Sequence, residues 1–186
     1  MAVLCDSELL AMLDAKQFEV EPRPAADCFT PCSVDLTLGS EFKRWKPAGG
    51  ITIDPSDPAF HFGQIAGTLL EPVGLDAAGA VVISPQEFLL GITHERVSLP
   101  STSRLCARVE GRSTLARLGI GVHVTAPTIH AGWNGKITLE IAHHGTVPIR
   151  LRPGLRICQL IVEQLFGTPR VSLRTMFQNQ TTVKGQ

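Results

Sequence analysis

The sequence predicts an all-β fold, either a sandwich or a barrel, preceded by one short helix. Its strand-like runs are short and recur at a spacing of about 8–12 residues, with Pro and Gly between them. The chain has 186 residues, of which 44% are hydrophobic. This length and composition predict a single domain over residues 1–186 that is large enough to bury a core.

The first element is a helix over residues 6–17, DSELLAMLDAKQ. Ser7 is its predicted N-cap, and Leu9, Leu10 and Leu13 are predicted to share one apolar face. Alternating apolar residues and turn residues then predict strands over 33–45, 80–85, 87–100, 104–111, 135–145, 147–154 and 156–165.

Two stretches lack this alternation. Residues 46–79 are rich in Gly, Pro and Asp and are predicted to form a long loop or insertion. Residues 168–186 turn polar and predict a C-terminal arm. Because terminal segments are poorly ordered unless they are held down, this arm is expected to order against a ligand or a neighbouring chain.

Charge and composition exclude several function classes. The 17 basic and 17 acidic residues give zero net charge, which argues against a surface dedicated to nucleic acid or to an anionic membrane. No apolar run approaches the roughly 18 residues that a bilayer span requires. The five cysteines are loosely spaced, and Cys28 and Cys32 lack a second Cys or His pair that would complete a zinc site. A reducing, cytoplasmic setting is therefore predicted.

The segment GRSTLARLG places two hydroxyl side chains between two arginines. Ser113 or Thr114 can cap a short helical turn, and Gly119 can end it. Arg112 and Arg117 flank this turn, and guanidinium groups match the geometry of phosphate oxygens. A phosphate site and a capped surface turn with solvated arginines are both consistent with this pattern.

The segment KITLEIAH predicts a strand with two different faces. Alternation places Ile137, Leu139 and Ile141 on one face, and it places Thr138, Glu140 and Ala142 on the other. A glutamate on such a face usually meets solvent. If the face closes against another subunit, Glu140 becomes a candidate general base whose pKa is raised by desolvation.

The block VEGRSTLARLGIGVHVTAPTIHAGWNGKITLE over residues 109–140 resembles the dCTP deaminase branch of the dUTPase superfamily. The segments PCSVDLTLGSEF, SPQEFLLGITHERVSLP and PIRLRPGLRICQL resemble it as well, so the similarity covers nearly the whole chain. It implies a distorted β-barrel or jelly-roll of the dUTPase-like, β-clip type that works as a homotrimer with active sites between subunits.

The resemblance also implies a reaction in pyrimidine deoxynucleotide metabolism: hydrolysis of dCTP to dUTP and ammonia, without zinc. Glu140 would activate the water and pass its proton to the ammonia, while Ser113, Arg117 and the carbonyl group of Ala126 would position water and base. Mg²⁺ would bind through the nucleotide phosphates and not through protein ligands. The implied nucleotide-binding residues are Arg112, Ser113, Thr114, Leu115, Ala116, Arg117, His130, Trp133, Thr138, Leu139, Glu140 and Gln180.

The chain departs from the family pattern at three places. His130 replaces an aspartate that contacts the deoxyribose and, in dUTPases, serves the hydrolytic water. Met176 and Phe177 replace a Lys-Tyr pair in the arm, although Arg174 lies nearby. The chain contains no tyrosine, so an upstream phosphate contact of the family is missing.

These departures keep other functions open. One is deamination of another cytidine nucleotide, such as a monophosphate, a diphosphate or a nucleotide with a modified base. Another is a bifunctional dCTP deaminase and dUTPase, which the loss of the aspartate at His130 disfavours. The last is a nucleotide-binding trimer without catalysis.

Overall fold

Antiparallel strand pairing organises the chain into two open sheets and a small ribbon. The structure is a computed structural model that describes residues 2–183. Its strands are β1 Ala2–Val3, β2 Glu19–Glu21, β3 Phe29–Thr30, β4 Ser33–Thr37, β5 Lys43–Trp45, β6 Leu70–Pro72, β7 Val81–Ile83, β8 Phe88–Ser98, β9 Leu105–Gly111, β10 Ile120–Gly121, β11 Thr128–Ile129, β12 Asn134–His143, β13 Ile149–Leu151 and β14 Arg156–Gln164. The helices are α1 Asp6–Asp14, α2 Phe62–Leu69 and α3 Ser113–Arg117.

The first sheet has the order β11-β9-β14-β4-β3, and β1 pairs with β14. The second has the order β10-β12-β8-β5-β6, and β2 pairs with β8, while β7 and β13 form a separate ribbon. The prediction of a mostly β fold with a short N-terminal helix is confirmed. None of the helices within residues 2–183 has the length and hydropathy that a membrane crossing requires.

Apolar side chains from both sheets pack into one core cluster. The alternation predicted around residue 34 is confirmed, since Val34, Leu36 and Leu38 are all 0% exposed. The alternation in β12 is confirmed too, because Leu139 and Ile141 are buried in the same cluster. Burial of such a side chain stabilises the fold by about 1.5–3 kcal/mol. The core thus fixes which face of β12 points away from it.

Helix α1 differs from the prediction at its start and on one face. Its N-cap is Cys5, which makes no side-chain cap hydrogen bond, so the assignment of Ser7 as N-cap is wrong. Leu9 and Leu13 are buried, whereas Leu10 is 37% exposed. Successive residues of a helix are about 100° apart, so Leu10 is rotated away from the stripe that the other two leucines form.

The loop predicted over residues 46–79 contains regular structure. Residues Phe62–Leu69 form α2, and β6 after it pairs with β5. Gly63 and Gly67 disfavour a helix in this stretch, since glycine costs about 1 kcal/mol relative to alanine in a helix. The stripe that includes Phe62 and Ala66 overrides this cost, because Ala66 is buried in a second, smaller apolar cluster.

A bulge in β8 sets the register between β8 and β12. Lys136 pairs with Arg96, but Thr138 pairs with Ile92, so residues 93–95 of β8 face a single residue of β12. The Thr93 hydroxyl group replaces the missing backbone partner, since it accepts the N–H of Ile137 at 2.9 Å and donates to the carbonyl of Glu95 at 2.7 Å.

The same bulge connects the two sheets. The Glu95 carboxylate is 5% exposed and accepts two hydrogen bonds from Thr37 of β4, from the backbone N–H at 2.9 Å and from the hydroxyl group at 2.6 Å. A buried carboxylate is tolerated when its oxygens are satisfied in this way. Hydrogen bonds therefore stabilise the bulge on two sides, from Thr93 within β8 and from Thr37 of β4.

Replacement of Thr93 by valine should leave the buried N–H of Ile137 without its acceptor. We expect Thr93→Val to lower the free energy of unfolding by about 1–3 kcal/mol, because an unsatisfied buried donor loses its solvation without compensation. Urea denaturation followed by circular dichroism measures the change. Thr93→Ser keeps the hydroxyl group and should lose less, and Thr52→Val in an exposed loop is the control. A Thr93→Val protein as stable as the wild type would contradict this role.

Candidate active site

A cavity of about 380 Å³ lies where the second sheet, α2 and the C-terminal arm meet. The arm is represented here by its described residues 168–183. Residues 184–186 of the predicted arm lie outside the described part of the chain. Six of the predicted site residues line this cavity: Ala126, His130, Trp133, Thr138, Glu140 and Gln180.

Glu140 lies on the face of β12 that points away from the core, and its side chain is half-buried. The carboxylate accepts the backbone N–H of Val124 at 3.0 Å. The backbone N–H of Glu140 donates to the carbonyl of Val122 at 3.1 Å, so the same loop holds the residue at two points. A carboxylate with a fixed orientation beside a cavity has the geometry that a general base requires.

Gln180 of the arm completes the polar side of the cavity. It is 3% exposed, and its side-chain amide donates to the carbonyl of Lys136 at 2.7 Å and to the hydroxyl group of Thr138 at 3.2 Å. Its side-chain oxygen is buried and has no hydrogen-bond partner within the described chain. Because a buried acceptor without a partner is costly, this oxygen suits an N–H donor of a bound molecule.

His130 and Trp133 occupy the turn before β12. His130 is exposed at the edge of the cavity, and its carbonyl accepts the backbone N–H of Trp133 at 3.1 Å. Trp133 is 9% exposed, and its indole N–H donates to the carbonyl of Gly135 at 3.3 Å. Trp133 therefore lines the cavity and also holds the turn before β12.

The α3 residues lie outside this cavity. Ser113, Thr114, Ala116 and Arg117 are exposed, and Leu115 is half-buried. The N-cap is Arg112, without a side-chain cap bond, so the prediction that Ser113 or Thr114 caps the turn is wrong. Gly119 ends the turn with a φ of +88°, as expected for a glycine there. Within one chain the predicted site is thus divided into a cavity group and an α3 group.

Arg112 is held by a buried carboxylate that the sequence patterns did not identify. Its guanidinium lies 3.1 Å from Asp35, whose side chain is only 4% exposed. Gln159 donates to Asp35 at 3.2 Å and to Ser33 at 3.1 Å. Alternation in the 33–45 strand places Asp35 opposite the apolar face, but it does not reveal that Arg112 is its partner, since the two are far apart in sequence.

Aromatic and aliphatic side chains form most of the remaining wall. Trp45, Phe62, Phe88 and Phe177 line the cavity, and none of them except Phe177 was considered from the sequence. Trp45 ends a predicted strand, and Phe62 begins α2, which lies within the predicted loop over residues 46–79. No described residue of the lining is a lysine or an arginine. The cavity therefore suits a flat, uncharged group and not a phosphate chain.

Within residues 2–183, no three His, Cys, Asp or Glu side chains are placed to hold a metal ion together. The five cysteines are free, and Cys28 is buried whereas Cys32 is exposed. Leu139 is 1% exposed and faces the core, so only its backbone remains available to a ligand.

The fold places the chain in a structural class before any family is considered. It matches the crystal structure of 2'-deoxycytidine 5'-triphosphate deaminase from Agrobacterium tumefaciens with a TM-score of 0.65 and 24% identity, over 87% of this chain and 48% of that one. It matches a mutant dUTPase of phage 80alpha with a TM-score of 0.51 and 14% identity, over 86% and 97% of the two chains. The chain spans about half the length of the Agrobacterium protein. The architecture is dUTPase-like.

The chain belongs to the dCTP deaminase-like family, whose model matches residues 3–165. It is 38% identical over 164 residues to the dCTP deaminase of Rhodospirillum rubrum. The aligned region covers 88% of this chain and 83% of that protein. It is 36% identical over 185 residues to a protein of Methanobrevibacter smithii named "dCTP deaminase, dUMP-forming". That alignment covers 96% of this chain and 92% of the other protein. The resemblance inferred from the 109–140 block is thereby confirmed.

A double-mutant cycle tests the contact between Asp35 and Arg112. We expect Asp35→Asn and Arg112→Gln to be coupled by about 0.5–3 kcal/mol in the free energy of unfolding, as for other contacting pairs. Denaturation of the two single variants and the double variant measures this energy. The exposed pair Asp76 and Arg150 is the matched control and should couple weakly. Additive effects at Asp35 and Arg112 would show that the contact contributes nothing.

Proposed function

We propose that the protein hydrolyses dCTP to dUTP and ammonia, with Glu140 as the general base. The observation that carries this proposal is the Glu140 carboxylate, held by the N–H of Val124 in a cavity with aromatic and aliphatic walls. Membership of the dCTP deaminase-like family supports the reaction, as do relatives named dCTP deaminase. A cytosine ring is flat and uncharged, so it suits this cavity better than a phosphate chain does.

The chemistry follows from the position of the carboxylate. Glu140 takes a proton from a water molecule as the water oxygen bonds to C4 of cytosine. The bond between C4 and the exocyclic nitrogen then breaks, and ammonia leaves. Of the two water protons, one ends on N3 of the uracil ring and the other on the ammonia. A positioned base accelerates a reaction by about 10²–10⁴-fold, so oriented hydrogen bonds must supply the rest of the rate enhancement.

The α3 group enters the site from a neighbouring copy of the chain. Ser113 and Arg117 are exposed and lie outside the cavity of their own chain, which supports a site completed between subunits of a homotrimer. There Ser113, Arg117 and the carbonyl of Ala126 would position water and base. The N–H groups and side chains at the start of α3, from Arg112 to Thr114, would bind the triphosphate.

Mg²⁺ is proposed to bind through the phosphate oxygens of the nucleotide, where it would offset their negative charge. Oxygen ligands are what Mg²⁺ prefers, and the triphosphate offers several of them close together. Among the described residues that line the cavity, His130 and Glu140 are the only imidazole and carboxylate and there is no cysteine, which is fewer protein ligands than a zinc ion takes. Water activation is accordingly assigned to Glu140 and its hydrogen bonds.

A bifunctional reaction that continues to dUMP is the second candidate. The similarity to the Methanobrevibacter smithii protein named "dCTP deaminase, dUMP-forming" favours it. His130 opposes it, because an imidazole at the cavity edge is a weaker acceptor and base partner than a carboxylate. Release of pyrophosphate together with dUMP would distinguish this candidate from simple deamination.

Replacement of Glu140 by glutamine removes the base but keeps the shape of the side chain. We expect Glu140→Gln to lower kcat for dCTP by at least about 10²-fold with the fold intact, because the proton acceptor is lost. Incubation with dCTP and Mg²⁺, followed by ion-exchange chromatography and an ammonia assay, measures the loss. Glu71→Gln, at an exposed position of strand β6, is the control. Appreciable residual activity in Glu140→Gln would refute the assigned role.

Intrinsic fluorescence reports occupancy of the cavity directly. The chain has two tryptophans, and both Trp45 and Trp133 line the cavity. Addition of dCTP to the inactive Glu140→Gln protein should therefore change the emission in a saturable way, since a stacked base alters the environment of an indole. Trp133→Phe and Trp45→Phe separate the two contributions. An emission unchanged by dCTP in every variant would mean that the base binds elsewhere.

A further inference from the structure

Three aromatic side chains connect α2 to the C-terminal arm. The rings of Trp45 and Phe62 meet edge to face, with centroids 6.5 Å apart at 72°. Phe62 meets Phe177 of the arm in the same manner, with centroids 5.7 Å apart at 75°. Such pairs contribute beyond the apolar area that they bury. Phe62 is thus the middle member of a row that runs from β5 through α2 to the arm.

Aliphatic contacts extend this row on both sides. A Cβ atom added at Gly63 would lie 3.7 Å from the terminal methyl group of Met176, so the arm passes close to the start of α2. Val183 at the end of the described arm is 4% exposed and belongs to the cluster that contains Ala66 and Leu90. Of the two residues that replace a Lys-Tyr pair, Phe177 therefore contacts α2 through Phe62, and Met176 lies beside Gly63.

The arm is also bound to the start of β12 through its backbone. Asn179 donates its backbone N–H to the carbonyl of Asn134 at 2.6 Å, and Lys136 donates to the carbonyl of Gln180 at 2.9 Å. Gly135 permits this approach, because its φ is +151° and a Cβ there would lie 3.0 Å from the backbone nitrogen of Gln180. These bonds place the Gln180 side chain beside Thr138 in the cavity.

The contacts that hold the arm here come from aromatic rings, aliphatic groups, backbone amides and side-chain amides. In addition, the backbone N–H of Val183 donates to the carboxylate of Glu41 at 3.2 Å. None of the contacts described above requires a charge on the nucleotide. The family match ends at residue 165, before the arm begins, so family membership does not itself describe these contacts. The physical consequence is that the arm has enough partners within its own chain to be ordered before a ligand binds.

We propose that Phe62 is a positioning residue that holds the arm, and with it Gln180, over the cavity in the absence of nucleotide. The arm then contacts the base and sugar end of the substrate, and the number of phosphates is read by α3 of the neighbouring copy. This selectivity rests on the proposed function. The placement of the arm by α2 does not, because it concerns the free protein.

Hydrogen exchange of the ligand-free protein tests the placement of the arm. In the wild type, a peptide that contains Asn179 and Gln180 should be protected. Phe62→Ala should speed its exchange by about tenfold, since an edge-to-face pair and its packing are lost. Phe62→Tyr keeps the ring and should restore protection. Ile53→Ala, an exposed residue of the same 46–79 segment, is the control and should leave the arm unchanged.

Two results would overturn the placement. One is unprotected exchange of the arm in the ligand-free wild type. The other is equal exchange in the wild type and Phe62→Ala. Either result decides the question whether or not the protein deaminates dCTP, so the failure of this inference is distinguishable from failure of the proposed function.

Calorimetry with dCTP, dCDP and dCMP tests the selectivity. Phe62→Ala should weaken binding of all three nucleotides by the same factor, about tenfold, because the lost contact lies at the base and sugar end. A loss confined to dCTP would show that the arm reads the phosphates and would overturn the selectivity. If the wild type bound none of the three, the proposed function and the selectivity would both fail, while the exchange result would still decide the role of Phe62.

Discussion

The pairing of β8 with β12 is the interaction on which the rest of the structure depends. One face of this pair supplies buried residues such as Leu89 and Ile141 to the core. The other face carries Glu140 and, directly opposite it, Leu90. The bulge at Thr93 shifts the pairing by two residues, and without that shift Ile92 would stand opposite Glu140. The composition of the cavity floor is therefore a consequence of register, which one buried hydroxyl group helps to hold.

The buried charges of the molecule follow one physical rule. Glu95 and Asp35 are almost completely buried, and each of their four carboxylate oxygens has a hydrogen-bond or ion-pair donor within the chain. Glu95 joins the two sheets through Thr37, whereas Asp35 directs the guanidinium of Arg112 at the start of α3. A buried carboxylate without such partners would be strongly destabilising. Glu95 thus holds the bulge of β8 against β4, and Asp35 holds Arg112 at the start of α3.

The proposed site residues fall into two groups with different chemistry. In the cavity of Glu140 the walls are aromatic and aliphatic and the polar groups are few, which suits a base. The arginines lie on α3, outside this cavity, which suits the charged end of a nucleotide. The α2 helix and the arm close the aromatic side with contacts between uncharged groups. A single chain therefore contains all the proposed residues but does not bring the two groups together.

Much of the fold was predictable because alternation is local. The apolar rows around Val34 and Ile141 follow from the strand period, and the same period places Glu140 away from the core. The residues of the 109–140 block were recognisable for the same reason, since they are close together in sequence. The position of Gln180 beside Thr138 was not predictable, because it depends on backbone bonds between the arm and a strand more than forty residues earlier.

Tertiary structure alone decided the remaining features. Packing of Ala66 against the second sheet turned a glycine-containing stretch into α2, against its weak local preference. The bulge at Thr93 and the pairing of Asp35 with Arg112 join residues that no local period relates. The sequence by itself determined which residues are apolar, which strand carries the glutamate and which family the pattern resembles. The cavity, its aromatic wall and the support of its charged groups required the folded chain, because distant segments create them only when they meet.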